Sequence, residues 1–238
     1  CEACTEAKAK QINVPKDSDH EVSTEYGEQL FFDISTIKGE KDGASRSRKN
    51  WRIIVEEKTQ TAFSGFFAKK SDMAEPTCVQ IKKWKDSGFS VKYMRCDNAG
   101  ENQLLEKRCN SAEWQLGVQF EYTARDTPQQ NHLAELKLAL LANKGRAMMI
   151  DANVPTNVRY KVCNEAIMTA TLTDGLTAIE LDGKLATKHI YLFKRNPAFV
   201  EHLCTWDEAG TVKVKKATTH KLANKRVQSM FVGYALNH

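Results

Sequence analysis

The sequence predicts an α/β domain built on a mixed sheet. Three observations carry that prediction. Short apolar or alternating runs of strand length recur at 30–34, 51–55, 61–67, 91–96 and 118–122. Amphipathic or cap-initiated stretches of helix length lie between and after them. Their order is strand, hairpin, helix, strand, helix, strand, long helix, and such alternation makes a layered α/β domain. The 238 residues suffice for one good core with appendages, or for two small domains. An apolar fraction of 41% and a charged fraction of 27% are those of a globular chain.

The elements follow in turn. Residues 1 to about 24 are polar, with Pro15, Asp17, Ser18 and Asp19, and read as a linker behind Cys1 and Cys4. The segment from Tyr26 to Ile37 holds the first strand, centred on Leu30-Phe31-Phe32-Asp33-Ile34. A Gly/Lys/Ser/Arg loop runs from Lys38 to Asn50. Strands at Trp51–Val55 and Thr61–Phe67, joined by the polar Glu56-Glu57-Lys58, form a hairpin. From Met73 to Ser87, Val79, Ile81 and Trp84 punctuate a lysine-rich helix that stops at Gly88. Val91–Cys96 alternates with period two and is closed by Asp97. A helix is expected over Glu101–Gln115 and a strand over Val118–Tyr122. Thr127-Pro128-Gln129-Gln130 reads as a capping box with proline in the first turn, opening a helix to about Ile150. A further helix starts after Val154-Pro155 and ends near Leu172. Val212–Val214 hints at a small β-rich tail.

Charge and cysteine usage narrow the setting. The net charge of +5 permits a nucleic-acid partner without demanding one. Its distribution says more, because Lys184 to Arg226 holds ten Lys/Arg against three Asp/Glu. Within it, Lys213, Lys215, Lys216, Lys221, Lys225 and Arg226 could track phosphates, or simply form a solvated face. Seven scattered cysteines without a signal-peptide pattern argue for reduced thiols in the nucleus or cytoplasm, not for secretion. Cys78, Cys96, Cys109, Cys163 and Cys204 are expected as small core residues, and Trp51, Trp84, Trp114 and Trp206 as core rather than stacking platforms. No apolar run approaches the roughly 20 residues that span a bilayer. The chain opens at Cys1 rather than Met, so a piece of a longer polyprotein is expected.

Three acids occupy particular places in this layout. Asp33 lies within the first strand, Asp97 just beyond the fourth, and Glu135 two turns into the capped helix. Carboxylates converging from two strand ends and a helix can hold a pair of divalent cations roughly 4 Å apart for in-line phosphoryl transfer. Mg²⁺ favours such oxygen ligands. Position alone is weak support, since the chain has 30 acidic residues. Asp33 is the least bland of the three, because an unpaired carboxylate in an apolar strand is costly.

The flanking residues add a resemblance. Arg95-Cys96-Asp97-Asn98-Ala99-Gly100-Glu101 resembles the R-x-D-N-G-G-E segment of retroviral and retrotransposon integrases. Thr127 to Glu135 (TPQQNHLAE) resembles their T-P-Q-Q-N-G-x-A-E segment, and Leu30–Ile34 sits where they carry a first aspartate. Cys1-x-x-Cys4 looks like the end of the zinc module that precedes copia-type cores. Cys163-Asn164-Glu165-Ala166 looks like the helical segment after the core, and Lys221-Leu222 with Met230–Tyr234 like the copia-type K-L…F-L-G-Y segment.

The resemblance implies a copia-type retrotransposon integrase with a ribonuclease-H-like five-stranded mixed sheet flanked by helices. A helical extension and a small basic C-terminal segment would follow. Residues 1–24 would be the tail of a truncated zinc-binding module and linker, 25–174 the catalytic core with its extension, and 175–238 the basic segment. Asp33, Asp97 and Glu135 would bind Mg²⁺ or Mn²⁺ in a two-metal site. Gln130, Asn131, Lys137, Lys213, Lys215 and Lys216 would contact DNA. Cys1 and Cys4 alone make an incomplete zinc site, so Zn²⁺ is expected only in a longer chain. Element ends and target DNA would be the partners, with a homo-oligomer as the working form and no membrane.

The match departs in places that bear on activity. His132 replaces a glycine, and Ala99 another. After Glu135 the family carries polar or basic residues, whereas this chain has Leu136, Lys137, Leu138 and Ala139. Position 139 lies one helical turn from Glu135 on the same face, and alanine there cannot reach a phosphate. A degenerate copy with weakened DNA contacts and an intact triad is therefore expected. The alternatives are a catalytically inactive, integrase-derived nucleic-acid-binding module and a ribonuclease-H-type hydrolase of RNA–DNA hybrids.

Overall fold

A computed structural model describes residues 23–38, 48–124, 128–213 and 226–234. The core is a five-stranded sheet made by β1 (Gln29–Thr36), β2 (Asn50–Glu56), β3 (Ala62–Phe67), β4 (Tyr93–Asp97) and β5 (Gln119–Thr123). Its order is β3-β2-β1-β4-β5. The β1/β2 and β2/β3 pairs are antiparallel, while β1/β4 and β4/β5 are parallel.

β1 is central because both of its faces are covered, which is why it reads as a continuous apolar run and not as an alternation. Leu30 and Phe32 join Ile54, Met94 and Cys96 under one helical layer. Phe31 joins Ile53, Val55 and Trp51 under the other. The first layer is α1 (Ala74–Asp86) and α2 (Gly100–Cys109). The second is α3 (His132–Asp151) and α4 (Thr156–Asp174).

The helices differ from expectation at their ends. α1 buries Ala74, Thr77, Cys78, Ile81 and Trp84, a spacing that returns to one face, and leaves Val79 exposed. It stops before Gly88, whose φ of +92° suits glycine. α2 ends at Cys109 and not at Gln115. The cause is Asn110, whose amide Nδ2 donates to the Val118 carbonyl (2.9 Å) and whose Oδ1 accepts the Val118 N–H (3.1 Å). A side chain acting as a local strand partner competes with helix continuation. The expected helix over 127–150 begins instead with a 3₁₀ turn at Pro128–Asn131, and the α-helix starts only at His132. Thr127, the expected cap, lies outside the described residues.

Beyond the core, β6 (Ala178–Leu181) and β7 (Lys184–Thr187) form a hairpin through Asp182-Gly183. Both turn residues have positive φ, at 53° and 71°, as a two-residue primed turn requires. α5 (Lys188–Phe193) follows, capped by the Thr187 hydroxyl, which accepts the Ile190 N–H. β8 (Ala209–Lys213) and β9 (Arg226–Met230) pair antiparallel as an exposed ribbon, the small β tail that was expected. Trp206 anchors this end among Met149, Val154, Cys163 and Ala166, and its Nε1 donates to the Val232 carbonyl. Trp51 and Trp84 are buried as well. Of the five cysteines expected in the core, Cys204 is exposed, because it lies in the open stretch before Trp206. Among the described residues, no helix is long and apolar enough to cross a membrane.

Candidate active site

The parallel register of β1 and β4 brings the two aspartates together. Leu30 stands opposite Met94 and Phe31 opposite Arg95, where the ladder ends; two residues further on, Asp33 is paired with Ile53 of β2 and Asp97 with Thr123 of β5. Side chains alternate along a strand, which puts Asp33 on the face of Phe31 and Asp97 on the face of Arg95. Those faces coincide, since the Arg95 guanidinium lies 5.4 Å from the Phe31 ring centroid. This is the face covered by α3 and α4.

α3 is docked at the same end of the sheet by Asn131. Its Nδ2 donates to the Phe32 carbonyl (3.0 Å), beside Asp33, from a side chain only 5% exposed. His132 then meets the Phe31 ring edge-on at 6.1 Å. Glu135 falls in the first turn of α3 with an exposed side chain, one turn closer to the helix start than the sequence reading placed it. Gln130 is exposed, and its Oε1 accepts the Ala124 N–H (2.9 Å).

The electrostatics tie the acids to one another. Burial raises the pKa of Asp33; its own neighbour's N–H, from Ile34 at 2.7 Å, opposes this, the Asp97 charge adds to it, and Lys70 opposes it. Burial also raises Glu135, with a further upward push from Asp33 and a downward one from His132. Asp33 therefore feels both other carboxylates. Mutual repulsion of this kind favours either a retained proton or a bound cation. Among the described residues, no three His, Cys, Asp or Glu side chains converge closely enough to hold a metal ion. Asp33 thus has a charge interaction with each of the other two acids, without a closed three-carboxylate cluster among the described residues.

Three supporting residues carry no signal in the sequence. Asn102, 2% exposed, donates through Nδ2 to both the carbonyl and Oδ1 of Asp97 and fixes that carboxylate's direction. Lys70 pairs with Glu101 at 2.7 Å and stands on the Asp33 side of the site. Asp174, at the end of α4, receives Lys137 and Lys188 on Oδ2 at 2.9 Å each and Lys144 on Oδ1 at 2.6 Å. Burial alone would raise Asp174, but the hydrogen bonds from Lys144, Lys188 and Lys137 hold its carboxyl well below the ordinary value.

That last cluster corrects one expectation. Lys137 is 4% exposed and lies on the inner side of α3, so it does not present its ammonium to DNA. Burial and the neighbouring Lys188 lower its pKa to about 8. Asn131 is likewise spent on anchoring rather than on an exposed contact. Lys213 is exposed on β8, while Lys215, Lys216, Cys1 and Cys4 lie outside the described residues.

No protein-family model matches the chain. Among solved structures, it superposes on a chain of the simian T-cell lymphotropic virus intasome, solved in complex with PP2A regulatory subunit B56 gamma. The TM-score is 0.52 at 16% identity, over 95% of this chain and 74% of that one. It also aligns with the HTLV-2 integrase catalytic core domain in complex with magnesium (TM-score 0.48, 15% identity, 70% of this chain and 96% of that one). The BIV integrase catalytic core domain aligns with a TM-score of 0.45 at 13% identity, over 74% of this chain and 97% of that one. The intasome match and the strand order together define the fold. It is a mixed five-stranded sheet flanked by helices, the ribonuclease-H-like arrangement of integrase cores.

Proposed function

We propose that this chain is the catalytic region of a copia-type retrotransposon integrase, a metal-dependent polynucleotidyl transferase that trims 3′ ends and joins them to target DNA. One observation carries the reading. The segments around Asp97 and Glu135, which resemble the family in sequence, meet Asp33 at one end of the sheet, and Asp33 interacts electrostatically with both.

The donor types suit a divalent cation, although the three side chains do not converge on one point in this structure. All three are hard oxygen donors, and their repulsion is relieved by positive charge. Asp33, Asp97 and Glu135 would hold Mg²⁺ or Mn²⁺, which when bound supplies Lewis-acid stabilisation at the reacting phosphate. Asn102 orients Asp97, and Asn131 positions the helix of Glu135. Gln130 and the basic segment from Lys213 onward would meet the DNA backbone. DNA ends, target DNA and further copies of the chain are the partners, in the nucleus or cytoplasm.

A second reading, an inactive DNA-binding derivative, draws support from the buried Lys137 and from the apolar outer face of α3 at Leu136 and Leu140. A labelled-oligonucleotide assay with Mg²⁺ or Mn²⁺ separates the two. Under the first reading the purified chain nicks or joins DNA ends, and Asp97→Asn abolishes this. Folded protein that binds DNA but stays inert with either metal supports the second. Cleavage of an RNA–DNA hybrid in preference to end joining would overturn both in favour of a hydrolase.

A further inference from the structure

Two of the core cysteines face each other across the α1/α2 layer. Cys78, in the middle of α1, and Cys109, the last residue of α2, hold their sulfurs 3.4 Å apart, and both side chains are fully buried. The two positions are 31 residues apart in the chain. At the surface above them the same helices are bridged by Arg108 and Glu75, paired at 2.9 Å.

The thiols of this core are not equivalent. Cys96 shares the cluster, but burial and the Asp97 charge push it up to about 12, so it stays protonated. Cys78 is drawn the other way. The hydrogen bond with Cys109 lowers its pKa against the effect of burial, and the Arg108 charge assists. That same hydrogen bond raises Cys109. Thiolate character therefore gathers on Cys78, with the Cys109 S–H beside it as donor. A nucleophilic thiol with a second thiol in reach is the arrangement that turns an oxidised sulfur into a disulfide.

We infer that Cys78 and Cys109 form a redox-responsive staple, a dithiol that hydrogen peroxide converts to a disulfide tying α1 to α2 and that thiol reductants reopen. The Cys78 sulfur attacks one peroxide oxygen, the O–O bond breaks, and a sulfenic acid forms as the first water leaves. The Cys109 sulfur then attacks the Cys78 sulfur. The S–O bond breaks, and the oxygen departs as a second water with the Cys109 proton. Two thiols lose two electrons in all, and one peroxide becomes two waters. Bonded sulfurs stand about 2.05 Å apart, so closure needs an approach of only about 1.4 Å. Burial restricts the oxidant to small molecules and sets the pace by the opening of the helical layer. If Asp97 acts as proposed above, the staple also bears on the site, because α2 carries the Asn102 that orients Asp97.

Peptide mapping of the full chain without reduction tests the bond. After hydrogen peroxide treatment under native conditions and alkylation of the remaining thiols, Cys78 and Cys109 should be recovered as one linked pair. Dithiothreitol should return both as free thiols. In a Cys1→Ser, Cys4→Ser, Cys204→Ser background, the oxidised chain should melt about 5 °C or more above the reduced one, since the bond closes a long loop. Cys109→Ala should remove that gain, and Cys78→Ala gives the same comparison if the first variant does not fold. Recovery of both thiols free after prolonged exposure overturns the inference. So does linkage of either to another cysteine, or a linked chain that melts no higher than the reduced one. These readouts involve neither DNA nor metal, so failure of the staple and failure of the enzymatic reading remain separable.

Discussion

Asn131 does work that its sequence context does not advertise. It joins the start of α3 to the backbone of β1 at the residue next to Asp33. Asn131→Ala removes a buried donor from the Phe32 carbonyl, and a loss of about 1–3 kcal/mol is expected in chemical denaturation. Activity should fall further than stability, because Glu135 is left without its anchor. At position 139 the expected direction is reversed. Ala139→Arg restores a cation one turn from Glu135, and DNA binding should tighten and become steeper in salt. Titration of binding against salt concentration reads both effects. In the sequence, flanking motifs single out Asp97 and Glu135, and Asp33 stands out as a carboxylate in an apolar strand. The inward role of Lys137 was not legible, since facing inward or outward on a helix depends on what packs there, and Asp174 lies far away in sequence.

Among the elements, the strands were the most legible. All five strands of the main sheet fall on short runs whose period or apolar density leaves little choice. Helix ends were less so, because they are set by side chains such as Asn110 that bond to distant backbone. Packing between α3 and α4 was invisible in the sequence and is demanding. A Cβ at Gly145 would stand 3.0 Å from Ile167 Cγ1 and 3.2 Å from its backbone nitrogen. Gly145→Ala should therefore part the two helices at a cost of about 1–3 kcal/mol, seen as a lower thermal midpoint. The same helix pair is locked by Asp174. Its carboxyl titrates below the ordinary value of 3.8 in the folded chain, so its contribution is present above that value and lost as pH falls through the lower one. Asp174→Asn should cost about 3–5 kcal/mol near neutrality, by leaving buried lysines unpaired. It should also flatten the acid limb of the stability curve, which denaturation at a series of pH values would show.

For the whole molecule, element order was enough to reach the layered class, and the family-like motifs pointed to the particular sheet. The order β3-β2-β1-β4-β5 explains how residues from two parallel strands and one helix become neighbours. The parallel β1/β4 pairing closes only after a hairpin and α1 have intervened, and Glu135 joins after a further strand and helix. The three acids are therefore together only once the chain has been made as far as α3. Long-range pairings of this kind form slowly, since loop closure must precede any gain from contact. A nascent polypeptide halted before residue 135 holds two of the acids and not the third. If the three acids bind a divalent cation as proposed, its affinity, followed over time after dilution from denaturant, should recover no earlier than the phase in which α3 packs on the sheet.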